Sequence, residues 1–126
     1  MKKSYNLNQI FENQRVVAFP KKKVIFDKVL GVDGLYYIIS GQIKVSGVTN
    51  DDQAHILNTI GPGEPFPLPL YFIDPVPTLI YTAETDVKAY FLPRKEADAL
   101  LHAHPEALYE MVSNILRVLY ARINNL

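Results

Sequence analysis

Hydrophobic and polar positions change period twice along the chain. Leu7, Ile10 and Phe11 recur at helical spacing behind Ser4, a residue suited to an N-cap, and predict a short N-terminal helix. The period then falls to two. Arg15–Phe19 and Val24–Phe26 read as short strands flanking Pro20-Lys21-Lys22-Lys23. Leu35-Tyr36-Tyr37-Ile38-Ile39 reads as a buried strand entered through Asp33-Gly34 and broken by Ser40-Gly41. Ile43, Val45 and Val48 continue the pattern up to a polar turn at 49–52. Positions 55–60 return as a strand ended by Gly61-Pro62-Gly63, and 65–78 reads as a loop. From 79 to 92 the odd positions Leu79, Tyr81, Ala83, Thr85, Val87, Ala89 and Phe91 are mostly apolar, while Thr82, Glu84, Asp86 and Lys88 fall between them. That alternation predicts two strands joined near Glu84-Thr85-Asp86, each with one buried face.

After Pro93 the helical period returns. Arg94–Ala103 reads as a short helix, and Pro105 suits the first residue of a second one, with Glu106 and Glu110 near its positive end. Leu108, Val112, Ile115, Leu119, Arg122 and Leu126 step by four, three, four, three and four, the spacing of an interhelical seam. Met111, Leu116 and Val118 widen the apolar surface, so the helix is expected to lie on its own domain with one face and on a twin with the other. The helical pattern meets no stop signal before Leu126. Short strands at regular spacing with turns between them predict a small antiparallel roll or barrel. The expected organisation is a β-roll with flanking helices over residues 1–104 and a helix over 105–126.

Composition narrows the chemistry. A chain of 126 residues is long enough to bury a core, and 48% of it is hydrophobic. Thirteen basic and thirteen acidic residues cancel, so net charge points to neither a general nucleic-acid binder nor a membrane-surface binder. Cysteine is absent, which excludes disulfides and thiol-ligated metal sites and fits a cytoplasmic location. No apolar run approaches a membrane span of about 20 residues. The lysine triplet at 21–23 reads as an anion patch or, the commoner role of such a run, a solvated hairpin tip. Phe66, Leu68, Leu70, Tyr71 and Phe72, with Leu79 and Tyr81, form the richest apolar and aromatic cluster. It either lines a pocket for an apolar or aromatic ligand or fills the roll. His102 and His104 are two apart and do not share a helix face, and no His-x-His pair accompanies His55; no metal is expected. No nucleophile–base arrangement or phosphate loop is legible, so the chain does not read as an enzyme.

Several strings resemble the sensor domain of the CRP/FNR superfamily of transcription regulators. They are Tyr36-Tyr37-Ile38-Ile39-Ser40-Gly41-Gln42-Ile43-Lys44-Val45, Ile60-Gly61-Pro62-Gly63-Glu64-Pro65-Phe66, Ala83-Glu84-Thr85-Asp86-Val87, Leu92-Pro93-Arg94 and the His104-Pro105-Glu106 entry to the long helix. The resemblance spans about residues 10 to 126. It implies a mainly β fold, an antiparallel double-stranded β-helix (a jelly-roll-like β-roll), followed by a C-terminal dimerisation helix. It implies a homodimer through Leu108, Val112, Ile115, Leu119, Arg122 and Leu126 and an effector near Phe66, Leu68, Leu70, Tyr71, Phe72, Leu79 and Tyr81; Arg117, on the long helix, either reaches the pocket mouth to meet an anionic head group or lies on a solvated helix side. DNA would be read by a winged helix-turn-helix domain that this chain does not contain. The chain reads as an excised regulatory domain or a stand-alone sensor, and the uncapped end at Leu126 favours the first.

One segment departs from the family. Positions 45–87 hold six acids (Asp51, Asp52, Glu64, Asp74, Glu84 and Asp86) and no Lys or Arg. Cyclic-nucleotide binders of the family carry Gly-Glu-Leu and then an arginine that holds the phosphate. Aligned from Gly63, the first three positions fall on Pro67-Leu68-Pro69, and the arginine falls on Pro77 or Thr78. Prolines 65, 67, 69 and 75 also remove backbone donors. A phosphate needs a cation or free N–H groups. The departure argues against a cyclic nucleotide held in the usual manner and for an apolar or aromatic effector, or for none, the chain then being a dimerisation and protein-interaction module. Histidines 55, 102 and 104 lie outside the haem-ligand segment of the haem-sensing relatives.

Overall fold

A computed structural model describes residues 6–26, 32–48, 54–67 and 79–124. Its elements in order are α1 (Leu7–Phe11), β1 (Arg15–Phe19), β2 (Val24–Phe26), β3 (Gly34–Ser40), β4 (Ile43–Val48), β5 (Ala54–Ile60), β6 (Pro65–Phe66), β7 (Leu79–Ala83), β8 (Val87–Pro93), α2 (Arg94–Ala103) and α3 (Pro105–Asn124). The strands form two four-stranded antiparallel sheets, one ordered β1-β8-β3-β6 and the other β2-β7-β4-β5. The mainly β roll with flanking helices is the architecture the alternation and turn spacing imply.

Alternation builds two cores from one central sheet. Along β3, Tyr36 and Ile38 face the other sheet, and Leu35 and Tyr37 face the helices. Along β8, Val87, Ala89 and Phe91 turn inward while Tyr90 and Leu92 turn outward. The inner core adds Ile25, Phe26, Ile43, Val45, Ile60, Phe66, Tyr81 and Ala83. The outer core lies under three helices: Leu7, Ile10 and Phe11 of α1, Ala97 and Leu101 of α2, and Ala107 and Met111 of α3. Helix α1 is too short to hold itself together in water. Burial of its three apolar side chains, each no more than 3% exposed, supplies what propensity does not.

Three local expectations are corrected. The N-cap of α1 is Asn6, whose side chain accepts from the Gln9 N–H while Gln9 accepts from the Asn6 N–H, a closed capping box; Ser4 lies outside the described residues. The segment at 20–23 is no hairpin tip, because β1 pairs with β8 and β2 with β7. It is a corner carrying the chain from one sheet to the other, and 84–86 carries it back. Third, 65–66 is a strand: Tyr37 lies opposite Pro65 and Tyr36 opposite Phe66. A proline is tolerated there because β6 is an edge with no partner on its far side among the described strands. Helix α3 rests on the roll through one face. Ala107 and Met111 are fully buried, flanked by half-buried Leu108 and Ile115. The polar turn at 49–52 lies outside the described residues.

The two corners interlock. The Lys22 N–H donates to the Ala83 carbonyl (2.7 Å), and the Ala83 N–H donates to the Lys23 carbonyl (2.9 Å). Lys21 N–H donates to Asp86 Oδ1 (2.8 Å), and Gln42 N–H donates to Thr85 Oγ1 (3.0 Å). Gly41 has φ +97°, and a Cβ there would lie 2.2 Å from the Asp86 carbonyl oxygen, so only glycine allows the close approach.

Candidate functional site

The interior between the sheets is a run of aromatic rings. Pairing of β3 with β6 sets Tyr36 beside Phe66 with ring centroids 5.2 Å apart and planes 19° from parallel. Phe66 in turn lies nearly parallel to Tyr81 of β7, at 6.2 Å and 19°. Phe26 of β2 presents its edge to all three, with centroids 5.5 to 6.1 Å away. Phe91 closes on Tyr36 at 4.8 Å and Phe19 at 5.7 Å. Offset and edge-on geometries put ring hydrogens against ring faces, worth about 0.5–1.5 kcal/mol per pair beyond burial.

Two phenols inside this cluster are perturbed. Burial pushes Tyr81 well above the usual tyrosine range. Burial does the same to Tyr36, reinforced by the Asp33 carboxylate, whose Oδ1 accepts from the Tyr36 hydroxyl at 3.2 Å. The strand–turn motif that enters β6 is self-contained. Glu64 Oε2 accepts from the Gly61 N–H (2.6 Å), Gly63 N–H donates to the Ile38 carbonyl, and Ile38 N–H donates to the Glu64 carbonyl. Gly63 takes φ +85°, a region glycine enters without strain. Two of the acids in the cation-free stretch therefore have structural duties: Glu64 ties this turn and Asp86 ties the corner.

Of the residues proposed from sequence for an effector, the structure brings together Phe66, Tyr81 and Leu79. Phe66 and Tyr81 are buried, and Leu79 is half-buried against the same cluster. Leu68, Leu70, Tyr71 and Phe72 lie outside the described residues. Arg117 stands apart: it is exposed on α3, and its guanidinium donates to Asn114 Oδ1 one turn earlier (3.1 Å). Sequence reasoning passed over Tyr36, Phe26 and Phe91 as site residues. Their signal was the period-2 pattern itself, which puts Tyr36 and Phe91 on the same face as Tyr81.

A second aromatic contact joins the short helix α1 to the roll, and Glu110 of the long helix lies beside it. Tyr37 stacks on Phe11 (5.1 Å, 22°), and burial, then the nearby Glu110 carboxylate, raises the Tyr37 phenol. Glu110 Oε1 also accepts from the Leu7 N–H at 3.4 Å, tying α1 to α3. Beyond this root the helix presents Tyr109, Val112, Leu116 and Tyr120, which are 76, 41, 61 and 66% exposed. Of the expected seam, Val112 lies on that face, and Leu108 and Ile115 rest half-buried against their own domain. The side chains of Leu119 and Arg122, and Leu126 altogether, lie outside the described residues. Among the described residues no group of three or more His, Asp or Glu could hold a metal ion, and no helix is long and apolar enough to cross a membrane.

Two antiparallel sheets around an aromatic core, closed by a long helix, define the β-roll of CRP-type sensor domains. Residues 16–104 match the cyclic nucleotide-binding domain family, and the chain belongs to it. A CRP-like cAMP-activated global transcriptional regulator of Mycobacterium tuberculosis is 31% identical over 111 residues, 87% of this chain and 49% of the relative. The chain thus spans about half the length of the curated relatives it matches. The catabolite activator protein of Thermus thermophilus superposes with TM-score 0.79 at 20% identity, covering 94% of this chain and 56% of that one. The sensor domain of the regulator DNR from Pseudomonas aeruginosa gives TM-score 0.68 at 19% identity over 93% of this chain and 79% of that domain. These two likenesses establish the fold. Its kinship is with transcriptional regulators rather than enzymes.

Proposed function

We propose that this chain is the effector-sensing domain of a CRP-like transcription regulator, working in the cytoplasm as a homodimer, with DNA read by a separate domain. The observation that carries this reading is the division of α3 into two faces. One face is rooted in the outer core through Ala107 and Met111; the other offers Tyr109, Val112, Leu116 and Tyr120 to solvent. A helix with one face in its own domain and an apolar stripe outside is built to couple the domain's interior to a twin helix. An effector that contacts Phe66, Leu79 and Tyr81 would act by population shift. It would bind one arrangement of roll and helix better than the other and so reset the twin helices.

The effector is an apolar or aromatic compound rather than a cyclic nucleotide. The inner core is wholly hydrophobic and aromatic, and the intervening sequence brings no cation to neutralise a phosphate. A phosphate buried without a counter-charge costs several kcal/mol. The rival reading, a dimerisation and interaction module with no effector, draws support from the close ring packing of Tyr36, Phe66 and Tyr81. A thermal-shift screen with aromatic acids and phenols decides between them. A compound that raises the unfolding temperature and changes the dimer dissociation constant supports the sensor. A dimer indifferent to every compound supports the rival.

A further inference from the structure

We infer that the β1 side of the roll, around Arg15, is a binding site for the carboxylate of a small aromatic acid. The inference goes beyond the sensor reading. It concerns a side of the roll which that reading does not use, and it holds whether or not the chain is a regulator.

Arg15, Lys44 and Lys88 are the Lys and Arg residues of the described strands. Lys44 lies between Ile43 and Val45, and Lys88 between Val87 and Ala89. All four neighbours are in the inner core, so alternation turns both lysines out. Arg15 turns the other way. It pairs opposite Phe91, Phe91 pairs opposite Tyr36, and Tyr36 pairs opposite Phe66. The four residues form one row across the sheet, and its three rings belong to the inner core or pack against it. Val17 and Phe19, on the same face of β1 as Arg15, pack against that core too. The fold thus sets a guanidinium at the end of an aromatic row, where alternation calls for an apolar residue.

This side of the core is the less closed one. Tyr36 and Phe66 are buried, whereas Val17, Phe19 and Phe91 are half-buried. Phe91 and Phe19 both contact the Tyr36 ring, at 4.8 and 5.7 Å, so the core fixes them while part of each stays open. The charge of Arg15 is felt at the Tyr36 phenol: burial and then Asp33 raise it, and Arg15 opposes them. Among the described residues none hydrogen-bonds or ion-pairs with the Arg15 guanidinium, and the Asp33 carboxylate is engaged by the Tyr36 hydroxyl.

These groups select the ligand. A guanidinium offers two parallel N–H donors that match a carboxylate. The half-buried rings beside it offer faces and edges to another arene. The site does not replace the phosphate cation that the segment after β6 lacks. Strands β1 and β6 are opposite edges of the sheet, about 14 Å apart at three strand spacings. An inward charge on an edge strand also discourages edge-to-edge pairing, but lysine fills that role equally well.

The test is an NMR titration of the chain with 2-naphthoate, followed at the backbone amides. Shifts should saturate with a dissociation constant on the order of 1 mM or tighter, and be largest at Arg15, Val17 and Phe91. Arg15→Gln should weaken binding about tenfold or more, and Arg15→Lys by less. Arg15 is exposed, so both variants should keep the wild-type unfolding temperature. The neutral 2-naphthamide and the ringless acetate should give no saturable shift. Absence of saturable shifts with 2-naphthoate, wild-type affinity in Arg15→Gln, or equal binding of 2-naphthamide would overturn the inference. So would largest shifts at Phe66 and Tyr81, which would put the acid in the effector cluster instead. The effector reading is decided by the dimer dissociation constant and this site by Arg15, so either can fail alone.

Discussion

Tyr36 and Phe66 stack across the register that pairs β3 with β6, rings 5.2 Å apart and 19° from parallel. That single contact sews a two-residue strand into the roll and sets the position of Tyr81 beyond it. Phe66 is 1% exposed, and its removal leaves a hole that neighbouring rings cannot close. Phe66→Ala should therefore cost about 3–5 kcal/mol of unfolding free energy, and Phe66→Leu distinctly less. Urea denaturation of the two variants checks this; equal and small losses would mean that β6 is peripheral.

Alkaline stability should report the buried phenols. Tyr36 and Tyr81 both have their ionisation pushed up, chiefly by burial. In the unfolded chain a phenol loses its proton from about pH 10. The folded state keeps those protons, so above that pH the unfolded state binds fewer, and stability falls as pH rises. Below it the two phenols leave stability flat. Tyr81→Phe should flatten the alkaline fall in urea midpoint, and Tyr36→Phe should do so as well. A wild-type midpoint constant well past the unfolded tyrosine range would contradict the burial of both.

Gly41→Ala should be among the most damaging single-atom changes in the chain. The new Cβ would meet the Asp86 carbonyl at 2.2 Å, in backbone with φ +97°. Moving the turn at Gly41 and Gln42 off the 84–86 corner enough to admit it breaks the bonds from Gln42 N–H to Thr85 Oγ1 and from Glu84 N–H to the Gln42 carbonyl. A loss of about 2–4 kcal/mol is expected, read as a drop in unfolding temperature. Wild-type stability in this variant would show that the turn at Gly41 moves off the 84–86 corner freely.

Dimerisation is expected through the exposed stripe of α3. Leu116→Asp, at a position 61% exposed in the single chain, should weaken association by about tenfold or more while leaving the folded protomer intact. Met111→Asp should instead unfold the domain, since Met111 is fully buried in the outer core. Sedimentation velocity with circular dichroism distinguishes the two. A Leu116→Asp protein that sediments like wild type would remove this face from the interface.

Strands with a clean two-residue period announced themselves: β1, β2, β7 and β8, and the helix break between Ala103 and Pro105, fall where the sequence puts them. What the sequence hid has physical causes. A two-residue edge strand such as β6 has no period to detect, and its proline reads as a loop. Corner and hairpin use the same turn chemistry, so 20–23 could not declare that its two strands join different sheets. Counting large aliphatic residues on α3 left out Ala107, whose small side chain lets the helix approach the roll. The buried face therefore lies to one side of the Leu108–Val112–Ile115 line. Half of the inner cluster was legible as composition, but which rings meet depended on β6, and the partner of Phe66 on β3 emerged only from the fold.

The central claim is that this member of the cyclic nucleotide-binding domain family senses something other than a cyclic nucleotide. Calorimetric titration of cyclic AMP and cyclic GMP into the chain tests it most directly. The account predicts no saturable heat at ligand concentrations up to about 1 mM, the weak end of specific affinity. Saturable binding of either nucleotide at micromolar concentration would contradict it.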